Sequence, residues 1–273
     1  MELRTVEPAV RHPSTFRDRY GPWALVTGAS SGIGRAMAAV IASAGVHVLA
    51  VGRRDEELAA VTADLRQRYV VQTRTVAADL ATPEGVHAVE QAGAEVDLGL
   101  LVAAAGFGTS GRFVDADLAG EQSMLDVNCR AVLALTHAAA VRMTRRGSGG
   151  IVLLASVVGR QGTPQAAHYA ATKAYVQAFG EALHVELRDS GVDVVTSTPG
   201  PVSSGFGDRA GMRFTTAAEP IEVARATLNA LGRRMTVSPG ALSKTLNWSL
   251  APLPRQLRTR IMGRVMGGFL VPR

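Results

Sequence analysis

One cysteine, Cys129, stands in a chain of 273 residues, so no internal disulfide can form and a reducing compartment is acceptable. Cys129 lies in an apolar helical run with nothing beside it in sequence to activate a thiol, and is read as a buried structural residue. Aromatic residues make up only 5% of the chain, too few for a platform on which single-stranded nucleic acid would stack. The six histidines have no metal-ligand spacing, so no metal centre is expected. No uninterrupted apolar run approaches the ~20 residues that a bilayer crossing needs. Residues 1–20 carry Glu2 and Glu7 and lack an apolar segment, unlike a secretory signal, which makes the cytoplasm the expected location. Residues 242–273 contain no acidic residue but hold Lys244, Arg255, Arg258, Arg260, Arg264 and Arg273. Elsewhere the charges cancel, so the net charge of +6 belongs to this tail and leaves no basic face for nucleic acid on the body.

What is present is an alternation of apolar strands and amphipathic helices without an intervening linker. Strands are expected at 23–26, 47–51, 70–77, 97–104, 151–155, 192–196 and 235–238, with helices after the first glycine loop and over 55–68, 121–145 and 166–189. Strands separated by helices require right-handed crossovers, hence a parallel sheet covered on both faces. The expected fold is α/β: a Rossmann-type, doubly wound parallel sheet of about seven strands, with a C-terminal helical tail. Residues 1–241 form one domain in this reading and 242–273 a basic extension. Ligands belong beyond the carboxyl ends of the strands.

The first strand runs into TGASSGIG, Thr27 to Gly34. Missing side chains at Gly28, Gly32 and Gly34 let backbone amides and a helix N-terminus approach a pyrophosphate. Selectivity for NAD(H) usually needs a carboxylate at the end of the next strand, to hold the ribose hydroxyls. Here that strand ends in Gly52, Arg53 and Arg54. Two guanidiniums suit a 2′-phosphate, so NADP(H) is favoured over NAD(H). Cations at a helix start oppose its dipole and need local compensation.

Tyr169 and Lys173 lie four residues apart, on one face of a helix. An ordinary phenol titrates near ~10, too high for ready proton exchange at neutral pH. The Lys173 ammonium and the cationic oxidised nicotinamide would both favour phenolate, making Tyr169 an acid in reduction and a base in oxidation. Ser156, at the end of the preceding strand, is placed to orient the same carbonyl oxygen, and Asn128 to fix a water that links Lys173 to solvent. His168 neighbours Tyr169 but points to another face.

This ordered set resembles the short-chain dehydrogenase/reductase family from Tyr20 to about Pro239. The matching elements are TGASSGIG, the Asp79-Leu80 pair, Asp126 to Asn128, Ser156, YAATK from Tyr169 to Lys173, and TPGPV from Thr198 to Val202. The resemblance implies a catalytic set of Tyr169, Lys173, Ser156 and Asn128, with Lys173 also on the nicotinamide ribose. It implies cofactor contacts from Gly28, Ser30, Ser31, Gly32, Ile33 and Gly34, from Asp79 and Leu80 beside the adenine, from Ala105 and Gly106, and from Pro199, Gly200 and Val202 beside the nicotinamide. It also implies a homo-oligomer built on the long helices. The opening YGPWALVTG is similar to the branch that acts on 3-oxoacyl chains and hydroxysteroids. One departure stands out: where the family shows NNAG, this chain has Ala103, Ala104, Ala105 and Gly106, which removes two amide side chains expected to brace the sheet near the adenosine ribose.

Residues 203–219 mix glycines with Phe206, Met212 and Phe214 and are expected to form a loop-like mobile lid that supplies apolar substrate contacts. Beyond Pro254, Leu257, Ile261, Val265 and Phe269 recur every fourth residue with Met262 and Met266 alongside, and Arg260 and Arg264 lie on another face. This predicts a basic amphipathic helix, weakened by Gly263, Gly267 and Gly268, that either packs on protein or makes a peripheral membrane contact. The expected activity is hydride transfer between NADP(H) and an apolar ketone, aldehyde or alcohol, with Tyr169 exchanging the proton. The alternative is an NADP(H)-binding regulatory or scaffold protein that docks through its tail.

Overall fold

The computed structural model describes residues 10–214 and 216–270; residues 1–9 and Arg273 of the tail lie outside them. The chain runs α1 (Pro13–Tyr20), β1 (Trp23–Thr27), α2 (Gly32–Ser43), β2 (His47–Gly52), α3 (Asp55–Arg68), β3 (Thr73–Ala77), α4 (Pro83–Ala94) and β4 (Leu98–Ala103). It continues through α5 (Leu118–Leu125), a π-turn (Asp126–Arg130), α6 (Ala131–Arg146), β5 (Gly149–Leu154), α7 (Ala167–Glu186) and β6 (Val192–Ser197). It ends in α8 (Phe206–Ala210), α9 (Pro220–Leu228), β7 (Thr236–Val237), α10 (Ala241–Leu250) and α11 (Arg255–Gly267).

The seven strands pair in parallel in the order β3-β2-β1-β4-β5-β6-β7. Every residue of β1, β4 and β5 is buried, as expected of strands covered on both faces. One core joins the sheet to α1, α2, α3 and α9; a second joins it to α4, α6 and α7. A third cluster lies beyond the strand ends, where Phe107 and Tyr169 meet Met212, Met262 and Met266. The connections diverge between β1 and β4, and this switch point opens a cleft at the carboxyl edge.

Local departures from the sequence reading have physical causes. The third strand starts at Thr73, which pairs with Val48; Val70 is fully exposed after Tyr69 has closed α3 on the Leu65 carbonyl. Helix α4 was not anticipated, although the Thr82 side chain accepts the Gly85 N–H at 3.0 Å and Pro83 fills its first turn. The helix expected over 121–145 begins earlier, at Asp117, which caps Ala119 and Gly120, and is broken by the π-turn. Its span Leu118–Arg146 is apolar enough to cross a membrane by composition, but 56% of the relevant window is buried inside the molecule.

The tail forms two helices. α10 was not foreseen, whereas α11 packs the expected apolar face inward, with Ile261 and, just past its end, Phe269 against the third cluster and Val265 on the cleft. Met262 and Met266 are its buried residues, while Leu257 is exposed. Gly263 lets α11 lie against Pro164: a Cβ there would sit 3.0 Å from the proline ring.

Candidate active site

A cavity of about 1040 Å³ occupies the switch-point cleft and continues under α10 and α11. Every residue proposed from the sequence for catalysis or cofactor contact borders it except Asn128.

The glycine loop fits a dinucleotide on two structural grounds. Gly34 packs so tightly that an added Cβ would lie 2.3 Å from the Gly28 carbonyl oxygen, and Gly28, at φ +67°, would place one 3.0 Å from the Ala105 backbone. Side chains are thus excluded where the loop turns into α2. The N-terminus of α2 has no side-chain cap and no acidic residue in its first turn, which leaves its first amides for an anion at the cavity wall. The brace lost at Ala103–Gly106 is met from the other side of the cleft. Thr27 Oγ1 accepts the Ala104 and Ala105 N–H groups at 3.0 and 2.9 Å. Buried amide donors therefore keep partners without the two amide side chains.

Arg53 and Arg54 face the cavity at the start of α3. Asp55, Glu56 and Glu57 occupy the first turn and offset the cations against the helix dipole. Arg54 is already paired with Glu57 at 2.6 Å; Arg53 makes no ion pair among the described residues. Asp79 turns inward on its own loop, with Oδ1 accepting the Ala81 N–H at 3.0 Å, and Leu80 is buried beside it.

Tyr169 and Lys173 are both buried on α7, the first 8% and the second 6% exposed. The Lys173 ammonium donates to the Leu154 carbonyl at 2.8 Å and lies 5.9 Å from the centre of the Tyr169 ring. Burial pushes the phenol up to about 12, against a hydrogen bond from Ser156 that lowers it. Burial also draws Lys173 down to about 8. This corrects the expectation that Lys173 holds the phenol down: without the nicotinamide charge, desolvation dominates. Ser156 has two partners of its own, as its Oγ caps the Val158 N–H and contacts the Pro199 carbonyl, each at 3.4 Å.

Asn128 sits behind the cavity wall, fully buried in the π-turn. Its amide donates to the Phe107 carbonyl at 2.9 Å and the Thr172 hydroxyl at 3.0 Å, and its Oδ1 accepts the Phe107 N–H at 3.1 Å. These bonds hold the loop after β4 against the helix turn that carries Lys173. A π-turn is a frequent device for aiming a side chain into a functional region. Cys129, next to it, is buried with its thiol pushed up to about 11 by desolvation. His168 Nε2 pairs with the Glu121 backbone carbonyl at 3.1 Å, away from the cavity.

Residues 22–211 match the short chain dehydrogenase family. The chain belongs to this family. It is an oxidoreductase acting on CH–OH or C=O groups with a nicotinamide dinucleotide, near the hydroxysteroid and 3-oxoacyl reductase branch. It is 29% identical over 236 residues to the 7beta-hydroxysteroid dehydrogenase of Collinsella aerofaciens, covering 84% of this chain and 90% of that protein. Among solved structures it is similar to a short-chain dehydrogenase from Sphingobium yanoikuyae in complex with NADPH: TM-score 0.78, 31% identity, 89% of this chain and 95% of that one. It is also similar to the bulky-bulky ketone specific alcohol dehydrogenase from Comamonas testosteroni: TM-score 0.76, 28% identity, 89% and 94% covered.

The roof of this short chain dehydrogenase was the part least visible in sequence. The stretch expected as an open loop contains α8, and Phe206 packs 5.5 Å from the Tyr169 ring. Beyond it the lid is pinned to the tail. The Arg213 N–H donates to the Phe269 carbonyl at 2.9 Å, Met212 bridges to Leu270, and Phe214 meets Phe269 edge to face at 5.2 Å. The hydroxyl of Ser243 on α10 accepts the Gly200 N–H at 2.7 Å, tying the tail to the loop after β6. Arg209 was also missed; its guanidinium lies 3.9 Å from the centre of the Phe107 ring, at the rim of the cavity.

Proposed function

We propose that this chain is a cytoplasmic NADP(H)-dependent oxidoreductase that interconverts a bulky apolar ketone or aldehyde and its alcohol, with Tyr169 as the acid/base. The observation that carries this reading is the shared cavity: the glycine loop and Arg53 form one end, Tyr169 and Ser156 the middle, and Met212, Met262, Met266 and Phe269 the roof. Arg53 and Arg54, without a carboxylate at the strand end, support the choice of NADP(H). The Sphingobium relative is described in complex with NADPH, which agrees with that choice. The Collinsella and Comamonas relatives are named for a hydroxysteroid and for bulky ketones, in keeping with the methionine-rich roof.

A bound nicotinamide supplies or accepts the hydride at the substrate carbon. In reduction, Ser156 donates a hydrogen bond to the carbonyl oxygen and Tyr169 transfers its proton to it, leaving phenolate. In oxidation, the phenolate takes the proton back. Lys173, whose ammonium lies 5.9 Å from the centre of the Tyr169 ring, would hold the nicotinamide ribose. The buried apolar roof excludes water from the reacting carbon. Purified full-length chain should oxidise NADPH with bulky apolar ketones in a panel; binding of NADPH without turnover across that panel would favour the regulatory alternative.

Leu118, Leu125, Leu133 and Val141 expose apolar side chains along α5 and α6, a surface suited to a homo-oligomer. One observation favours a peripheral membrane role for the tail beside its packing role: Trp248, on α10, is 82% exposed in a segment without acidic residues. Sedimentation with anionic vesicles that is lost in Trp248→Ser tests this.

A further inference from the structure

The lid carries a cation whose placement the reaction chemistry does not explain. Arg209, on α8, is exposed but lays its guanidinium over the Phe107 ring at the rim of the cavity. It lies within electrostatic range of Arg53, Arg54 and Asp79, at the nucleotide end of the cavity. Burial, Arg53 and Arg54 all oppose its charge, and Asp79 offsets them only in part. Ser204, five residues earlier, comes close to the glycine loop: its Cβ is 3.2 Å from where a Cβ on Gly32 would stand. The start of the lid therefore abuts the loop that turns into α2, and three guanidiniums converge on that end of the cleft. Such a cluster is unfavourable until an anion enters it.

We infer that Arg209 is a phosphate clamp: the lid delivers its guanidinium to a phosphate of the bound dinucleotide, completing a cradle begun by Arg53 and Arg54. The inference rests on the dinucleotide reading above and adds a positioning role for the lid. Phe206, three residues before Arg209 on the same short helix, packs on Tyr169. Fixing Arg209 on a phosphate therefore fixes the side chain that walls the substrate against the proton donor. The stacking on Phe107 holds the guanidinium at the rim of the cleft before the anion arrives.

The test is equilibrium binding of NADPH and of NADH to the full-length chain, without substrate, for wild type, Arg209→Gln and Arg209→Lys at low and high salt. Arg209→Gln should weaken NADPH by roughly tenfold or more, as expected for loss of one charge-assisted hydrogen bond, and flatten the salt dependence. Arg209→Lys should recover much of the affinity. A loss confined to NADPH assigns the clamp to the 2′-phosphate, and an equal loss with NADH assigns it to the diphosphate; either supports the inference. Wild-type affinity in Arg209→Gln would overturn it, as would equal losses in the Gln and Lys variants, which would mean that Arg209 acts only by packing on Phe107. A wild-type chain that binds neither nucleotide would overturn the dinucleotide reading itself.

Discussion

The Lys173 ammonium lies 5.9 Å from the Tyr169 ring centre but gives its hydrogen bond to the Leu154 carbonyl, so the two side chains are neighbours without being a bonded pair. Burial holds the phenol high, at about 12, against the hydrogen bond from Ser156. The proposed proton exchange at Tyr169 would then depend on the charge that the bound cofactor brings. Ligand-free chain should show no tyrosinate signal from this residue at neutral pH, and difference absorbance on adding NADP should be the first to reveal ionisation.

Lys173 gives a second prediction, with a defined sign. Its amine falls from the ordinary 10.5 to about 8 in the folded chain. Between those values the unfolded state holds a proton that the native state has released, so this group raises stability as pH increases through the window. Below pH 8 the native chain bears the cost of a buried ammonium. Lys173→Met should therefore melt higher than wild type at pH 7 while losing turnover, and its advantage should shrink between pH 8 and 10.5. Paired thermal melts across that range would check it.

Thr27 carries a third. Replacement by Val keeps the shape but leaves the Ala105 N–H without its acceptor, while the Ala104 N–H keeps only the Val102 carbonyl at 3.1 Å. An unpaired buried donor costs ~1–3 kcal/mol. The variant should lose about 2–4 °C in Tm for each kcal/mol and bind NADPH less tightly, as read by calorimetry and titration. Thr27→Ser should behave like wild type.

The roof gives a fourth. Met262→Ala and Met266→Ala open space above Tyr169 without touching the cofactor end. Their KM for bulky ketones should change several-fold with NADPH affinity unaltered, and steady-state kinetics with ketones of graded size would show it.

Parallel strands with buried runs, a glycine loop and a Tyr–Lys spacing are local patterns, and they made the sheet, the cleft and the residues at its glycine-loop and Tyr169 ends readable from sequence. The parts that were missed depend on contacts between distant segments. Arg209 carries no motif, and only its approach to Phe107, across the cleft, gives it a place. The apolar face of α11 was legible, but that it closes over Tyr169 beside Phe107 and Met212 depends on tertiary contacts. Thr27 appeared in sequence as the first letter of a nucleotide loop, and its second use, as an acceptor for the turn after β4, needs the register of two paired strands. Asn128 was found by its neighbours in sequence but serves from behind the wall, through Phe107 and Thr172.

The most direct test of the account is single-turnover oxidation of NADPH with a bulky apolar ketone by wild type and Tyr169→Phe, with nucleotide affinity measured alongside. The account predicts a fall in the hydride-transfer rate of about 10²–10⁴-fold, the range for loss of a general acid, at unchanged NADPH affinity. A Tyr169→Phe variant that reduces the ketone within a few-fold of the wild-type rate would contradict it.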